Sequence, residues 1–175
     1  MSKFILLPEY TQAINALTNG TPVVYISGAG GTGKSTFIKY IRAKVKNSIL
    51  LAPTGIAAIN IGGRTIHSVF KFPPAFLTPD DIKRTNKTVR QYLKSTNLLI
   101  IDEISMLHAK QLNLVNQVLK YFKESDEAFG GIQVIVAGDF FQLPPVGRNG
   151  EANRDKFCFM SEAWVEAKFR VCYLT

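Results

Sequence analysis

VVYISGAGGTGKS, residues 23–35, decides the fold of this 175-residue chain. Its first five residues are β-branched or aromatic except for Ser27, which is typical of a buried strand. The other eight match GxxxxGK[ST], a pattern whose glycines let the backbone point successive N–H groups at phosphate oxygens. Helical spacing returns from about Gly33 to Lys46, so the motif lies between a strand and a helix, as a phosphate-binding loop requires.

This loop is expected to contribute side chains as well as backbone. Lys34 would neutralise the β and γ phosphates of a nucleoside triphosphate, and Ser35 would place its hydroxyl on Mg²⁺. The following helix adds the positive end of its dipole. The alternative, a glycine-rich turn that binds nothing, needs a chance match with odds of roughly one in 200. The nucleotide-binding residues predicted here are Gly28, Gly30, Gly31, Thr32, Gly33, Lys34, Ser35 and Thr36.

Four further apolar segments predict the rest of a sheet. They cover residues 48–52, 97–102, 132–138 and 170–174. Stretches with helical spacing separate them, and continuous apolar strands between helices indicate a parallel sheet covered on both faces. We therefore predict one three-layer α/β domain of the P-loop NTPase type, with a mostly parallel sheet. Residues 70–81 and 147–156 are the predicted loops.

Polar side chains follow two of these strands where the strands end. Asp102 and Glu103 come directly after Leu98-Leu99-Ile100-Ile101, the form of a Walker B box, and Gln142 follows the next strand. The carboxyl ends of parallel strands form the edge where such sheets bind ligands. Asp102 is expected to hold Mg²⁺ through its water shell, Glu103 to orient or deprotonate the attacking water, and Gln142 to sense the γ-phosphate. The alternative for the two carboxylates is an acidic helix N-terminus, favoured by the dipole alone.

Composition and charge narrow the class of protein. A hydrophobic content of 46% and a charged content of 19% indicate a globular domain, and the net charge of +8 indicates a polyanionic partner. The stretch 71–94 carries half of this excess, although a solvated surface would also explain it. No apolar run has the roughly 18 to 20 residues that cross a bilayer, and the N-terminus has no signal peptide. We predict an intracellular protein, cytoplasmic or nuclear, without a zinc site and with Cys158 and Cys172 reduced and buried.

Five ordered blocks resemble the Pif helicases, relatives of RecD within helicase superfamily 1. The blocks are GAGGTGKS (28–35), LAPTGIAA (51–58), GGRTIHSVF (62–70), LLIIDEISML (98–107) and GGIQVIVAGDFFQLPPV (130–146). The resemblance implies a RecA-like motor domain of a 5′-to-3′ DNA helicase that uses ATP and Mg²⁺. It also implies roles in DNA repair, recombination and telomere maintenance, with single-stranded DNA and DNA forks as partners.

The same resemblance implies further site residues. Those expected to face single-stranded DNA are Thr54, Gly55, Thr65, His67, Ser68 and Phe72. Hydroxyls, backbone amides and a neutral imidazole bind phosphate without reading sequence, and Phe70 and Phe72 are candidates for base stacking, with core packing as the alternative. The family's opening Glu-Gln is Glu9-Tyr10 here, so the adenine-contacting glutamine is either absent or supplied by Gln12.

Residues 1–175 are expected to be the first RecA-like domain, ending before the family's second motor domain and its arginine-containing block. On this interpretation the isolated chain binds ATP, hydrolyses it poorly and cannot unwind DNA. Two other interpretations stay open. One is a P-loop NTPase that does not act on DNA, and the other is a non-catalytic module that binds single strands or a partner protein.

Overall fold

The central sheet contains six parallel strands in the computed structural model, which describes residues 7–70, 87–147 and 149–175. The strands are β1 (Val23–Ser27), β2 (Ser48–Ala52), β3 (Arg64–Thr65), β4 (Leu98–Ile101), β5 (Gln133–Gly138) and β6 (Arg170–Tyr173). Their order across the sheet is β3-β2-β4-β5-β1-β6. The predicted parallel α/β architecture is confirmed, and β3 is an addition at the edge that the sequence did not reveal.

Helices cover both faces of this sheet. In the described part of the chain they are α1 (Pro8–Thr18), α2 (Lys34–Lys44), α3 (Gly55–Ile61), α4 (Ile66–Phe70), α5 (Lys87–Ser95), α6 (Ala109–Lys123) and α7 (Glu162–Ala167). Local sequence explains several ends. Pro8 begins α1, the Thr54 side chain caps α3, and Gly62 ends α3 in a left-handed conformation with φ of 69°. None of the described helices is long and apolar enough to cross a membrane.

Alternate residues of β1, β2, β4 and β5 supply two separate cores. Val24 and Ile26 of β1 pack with α1, α2 and α3, whereas Val23 and Tyr25 pack with the face that holds α4 to α7. The same alternation runs through β2, β4 and β5, as the two-residue period of a strand requires. Cys158 and Cys172 are free and buried, as predicted. The sheet is thus fixed from both sides, and its carboxyl edge is left for a site.

An aromatic cluster joins β1, α7 and the segment that follows β5. The ring centroid of Trp164 lies 5.5 Å from that of Tyr25, 5.8 Å from that of Phe140 and 4.5 Å from that of Phe169. Phe140 also meets Phe159 edge to face at 5.0 Å. These contacts fix Phe140, which directly precedes the exposed Phe141 and Gln142. The loop after β5 is therefore packed against the core where it begins.

The structure describes only one of the two phenylalanines considered for base stacking. Phe70 is 4% exposed and belongs to the core between α4 and its neighbours, so core packing describes it. Phe72 lies outside the described residues, as does most of the basic stretch that begins at Lys71. Its role in DNA binding stays a prediction.

Candidate nucleotide-binding site

The loop of residues 28–35 connects β1 to α2 and depends on glycine at two positions. Gly31 has φ of +84° and Gly33 has φ of +90°, a region that side chains with a Cβ rarely adopt. Gly33 is also the N-cap of α2. The first N–H groups of α2 have no helical partner, so they are available to phosphate oxygens at this end of the helix.

Two neighbouring elements brace the loop. The Tyr10 hydroxyl of α1 donates a hydrogen bond to the Gly33 carbonyl at 3.1 Å, and a Cβ at Gly33 would collide with that hydroxyl. A Cβ at Gly28 would lie 2.7 Å from the Leu174 carbonyl oxygen, just beyond β6. The loop therefore has no room for larger residues at either end. No motif in the sequence marks the contact between Tyr10 and the loop.

The Lys34 ammonium lies inside the loop. Its Nζ donates to the Gly28 carbonyl at 2.6 Å and to the Ala29 carbonyl at 2.8 Å. The Thr32 hydroxyl also donates to Ala29, at 2.9 Å. These bonds keep a positive charge within the loop, and a triphosphate requires such a charge.

Ser35 and Asp102 meet across 67 positions of sequence. The Ser35 hydroxyl donates to Asp102 Oδ2 at 3.4 Å, and Asp102 Oδ1 accepts from the Glu103 backbone N–H at 2.9 Å. A hydroxyl and one carboxylate match the way proteins hold Mg²⁺, which keeps several waters and takes other ligands from the phosphates. No group of three His, Cys, Asp or Glu side chains that could hold a metal occurs among the described residues.

Burial raises the pKa of both carboxyl groups at this edge. For Asp102, which is 3% exposed, burial is opposed by its hydrogen bonds with Glu103 and Ser35 and by the charge of Lys34. For Glu103, burial acts together with the negative charges of Asp102 and Asp139, and Lys34 opposes them. A carboxylate whose pKa is raised is a better proton acceptor, as a residue that activates water must be. Glu103 also has a left-handed backbone, with φ of 53°, which is uncommon for a residue other than glycine.

Gln142 reaches the phosphate loop from the turn after β5. A Cβ added at Gly30 would lie 3.5 Å from Gln142 Nε2. The turn is held by Asp139, whose side chain accepts from the Phe141 N–H and whose carbonyl accepts from the Gln142 N–H, both at 3.0 Å. Asp139 was not predicted as a site residue. Its position directly after β5, like that of Asp102 directly after β4, was the available signal.

Two predicted nucleotide contacts lie at the margin of this arrangement. Thr36 is exposed on the first turn of α2, and Gln12 is exposed on α1 two residues after Tyr10. Tyr10, by contrast, is buried with its ring 5.1 Å from that of Phe37. Binding of adenine by Gln12 and of phosphate by Thr36 stay predictions.

The residues predicted to face DNA follow β2 and β3, which are neighbours in the sheet. Thr54 Oγ1 accepts from the Ala57 N–H at 3.3 Å at the start of α3, and Gly55 is exposed beside it. Thr65 Oγ1 accepts from the Ser68 N–H at 3.1 Å, while the Ser68 hydroxyl donates to the Thr65 carbonyl at 2.8 Å. Both threonines act as acceptors, so each keeps its hydroxyl hydrogen for a phosphate.

His67 is exposed on α4 in the same region. Because neighbouring parallel strands end at the same edge of a sheet, the structure places Thr54, Thr65, His67 and Ser68 along one edge with the phosphate loop. The arrangement suits a strand of nucleic acid that passes over this edge beside a nucleotide.

Replacing Asp102 with asparagine is expected to raise the melting temperature of the nucleotide-free chain. Burial raises the pKa of Asp102, so the folded chain holds this proton to a higher pH than the unfolded chain does. The ionised Asp102 carboxylate therefore destabilises the folded chain. This destabilisation is absent below the ordinary pKa of 3.8 and is complete above the raised pKa. Asparagine keeps partners for Ser35 and the Glu103 N–H.

Thermal melts from pH 4 to pH 8 check this expectation, because the advantage of the variant should grow as pH rises. Mg²⁺ with an ATP analogue should raise the melting temperature of the wild type, while the Asp102→Asn chain should gain much less. A variant that melts lower than the wild type at pH 7 without nucleotide would contradict the argument from burial.

Comparisons with known proteins agree with this geometry. The chain is 51% identical to the ATP-dependent DNA helicase Pif1 of Psychrobacter sp. (strain PRwf-1) over 170 residues, which is 93% of this chain and 26% of that protein. It is 36% identical to the ATP-dependent DNA helicase RRM3 of Saccharomyces cerevisiae, covering 99% of this chain and 25% of the relative. The chain thus spans about a quarter of the length of these relatives.

Solved structures agree as well. The crystal structure of a Pif1 helicase from Bacteroides in complex with ADP-AlF3 and ssDNA superposes with a TM-score of 0.90 at 40% identity, covering 99% of this chain and 42% of that one. A structure of Pif1 helicases at forked dsDNA gives a TM-score of 0.88 at 38% identity, covering 99% of this chain and 44% of that one. Residues 9–175 match the PIF1-like helicase family, and the chain belongs to that family.

Proposed function

We propose that this chain is the first RecA-like motor domain of an ATP-dependent 5′-to-3′ DNA helicase. The observation that carries the proposal is the meeting of Ser35 with Asp102 at 3.4 Å, beside the Lys34 ammonium held in the phosphate loop. The phosphate and metal ligands were predicted from two separate sequence motifs. These two motifs meet there on one edge of the sheet. Gln142 over Gly30 completes the same edge.

Each side chain has a role in the proposed hydrolysis. The loop N–H groups and Lys34 bind the phosphates. Ser35 and Asp102 would hold Mg²⁺, which would supply charge neutralisation to the phosphates. Glu103 orients a water and accepts its proton, helped by the raised pKa of its carboxyl group. Gln142, on the neighbouring strand end, responds to the presence of the γ-phosphate.

Single-stranded DNA is the proposed second substrate. The edge that holds Thr54, Thr65, His67 and Ser68 offers hydroxyls and an imidazole, which bind a phosphate backbone without regard to sequence. The Bacteroides relative was crystallised with ssDNA, and its 40% identity supports the same use here. We further propose action at DNA forks inside the cell, in repair, recombination or telomere maintenance, together with a second RecA-like domain in the same protein.

Equilibrium binding with the purified chain tests the proposal. The chain should bind a fluorescent, non-hydrolysable ATP analogue in a Mg²⁺-dependent way and should bind a labelled oligothymidine. Ser35→Ala should remove most of the Mg²⁺ dependence, while Ser95→Ala, an exposed serine of α5, should not.

The outcomes separate the three interpretations of the sequence. Nucleotide binding without DNA binding would indicate a P-loop NTPase that does not act on DNA. DNA binding without nucleotide binding would indicate a non-catalytic module. Either result would contradict the motor domain proposed here.

A further inference from the structure

The two faces of the sheet differ in how their surface charges are paired. On the side of α5, α6 and α7, exposed or partly buried cations of the described residues lie next to carboxylates. The pairs are Lys94–Glu124 at 3.2 Å, Lys110–Glu151 at 3.6 Å, Lys120–Glu166 at 2.5 Å and Arg154–Asp155 at 3.3 Å. These four cations are therefore neutralised within the domain, whereas Lys87, Lys123 and Lys168 on the same side form no ion pair with a carboxylate of the described residues.

The side of α1, α2 and α3 has no such neutralisation. Between Glu9 and Asp80 the sequence contains no aspartate or glutamate at all. The exposed cations of this region, which we call the α2 cationic surface, are Lys39, Arg42, Lys44, Lys46 and Arg64. None of the five forms an ion pair with a carboxylate among the residues that the structure describes.

The residues of the α2 cationic surface come from neighbouring parts of the fold. Lys39, Arg42 and Lys44 lie within about 8 Å along the axis of α2, and Lys46 follows the helix. Arg42 Nη1 donates to the Gly62 carbonyl at 2.6 Å, which joins α2 to the turn before β3, where Arg64 lies at the edge of the sheet. Arg64 is next to Thr65 in the sequence. The α2 cationic surface therefore adjoins the edge of the sheet where Thr65 is proposed to contact DNA.

Local roles explain only part of this charge. Cations in the last turn of a helix interact favourably with its dipole, which covers Arg42 and Lys44. Lys39 lies in the middle of α2, and Arg64 lies on a strand. Exposed helices commonly alternate acidic and basic side chains four positions apart, and α2 has no acidic residue. The remaining positive charge of the α2 cationic surface favours binding of an anion from outside the domain.

Lysine is depleted from protein–protein interfaces, whereas Lys and Arg make most contacts to nucleic-acid phosphates. We propose that the α2 cationic surface is a second nucleic-acid contact, which binds the phosphate backbone beyond the edge that holds the nucleotide. This inference rests on the proposed function for the identity of the polyanion. It extends the path of the nucleic acid from Thr65 around the β3 edge to the far end of α2, about 15 Å along the helix from Lys34.

Salt-dependent binding tests the inference. The purified chain, a K39Q/K44Q/K46Q variant and a K94Q/R154Q/K168Q variant would be titrated into a labelled oligothymidine and into a labelled duplex from 50 to 200 mM salt. The two variants lose the same charge from opposite faces. Circular dichroism melts would show that both stay folded, because all six side chains are exposed.

The plot of log affinity against log salt concentration should become shallower for the α2 variant, by about 2 on a single strand or about 2.7 on a duplex, and stay unchanged for the other variant. Each phosphate contact contributes about 0.9 to this slope on duplex and about 0.7 on a single strand, so the two probes show which form occupies the surface. Equal slopes for all three proteins would overturn the inference and favour an acidic protein as the partner. Equal losses in both variants would also overturn it, since net charge alone would then be responsible.

The same titrations distinguish failure of the proposed function from failure of the second contact. If the wild type binds neither probe at 50 mM salt, the proposed function fails. If it binds the single strand with a slope that the α2 variant shares, only the second contact fails.

Discussion

ATP hydrolysis is expected to rise about 10³- to 10⁵-fold when the second RecA-like domain is present beside residues 1–175. In the described part of the chain, Lys34 is the cation that lies in the phosphate loop. The charge that develops on the γ-phosphate in the transition state needs a further cation, and an arginine supplied by a second domain contributes a factor of this size. The isolated chain should therefore bind nucleotide, turn it over slowly and leave a tailed duplex intact.

Steady-state ATPase assays of the chain and of the two-domain protein, with and without single-stranded DNA, measure this difference. Glu103→Gln in the two-domain protein should lower turnover by about 10²- to 10⁴-fold without weakening nucleotide binding, because the carboxylate acts on the attacking water. A DNA-stimulated rate typical of a motor, or unwinding of a tailed duplex by residues 1–175 alone, would contradict the requirement for a second domain.

Lys34→Ala should weaken binding of an ATP analogue by about 100-fold or more. The ammonium is held by two loop carbonyls at 2.6 and 2.8 Å, at the position where the β and γ phosphates are expected. Hydrogen bonds to charged groups are worth about 1.5 to 3 kcal/mol each, and the alanine chain loses one to each phosphate.

A fluorescence titration with the labelled analogue and Mg²⁺ gives the two dissociation constants. Lys87→Ala, which removes an exposed lysine at the start of α5, is the matched control and should change affinity less than twofold. Melting temperatures of both variants should stay within a few degrees of the wild type. If Lys34→Ala remains folded and binds within fivefold of the wild type, the phosphate loop does not bind nucleotide as proposed.

Continuous apolar runs made most of the sheet predictable. β1, β2, β4, β5 and β6 all appear within one residue of their predicted bounds, because a strand buried on both faces leaves an unbroken apolar signature. β3 consists of Arg64 and Thr65 only and pairs with a single neighbour, so no periodicity could identify it. The same holds for α4, whose five residues are too few for a helical repeat.

The site residues that lie directly after a strand could be predicted from the sequence. Placing Asp102 at the end of β4 and the glycine loop at the end of β1 was enough to expect that Ser35 and Asp102 would meet. Tyr10 could not be found in this way, since its bond to Gly33 depends on how α1 packs against α2. Pairwise packing of helices is set by the whole core, and local spacing does not encode it.

The aromatic cluster around Trp164 has a practical consequence. Trp164 is the only tryptophan in the sequence, and Phe140, with which it makes ring contact, is two residues from Gln142. Movement of the turn after β5 on addition of a nucleotide would change the surroundings of the indole ring. The intrinsic fluorescence of this chain is therefore a built-in optical reporter of that turn, and stopped-flow emission can time its response without any attached dye.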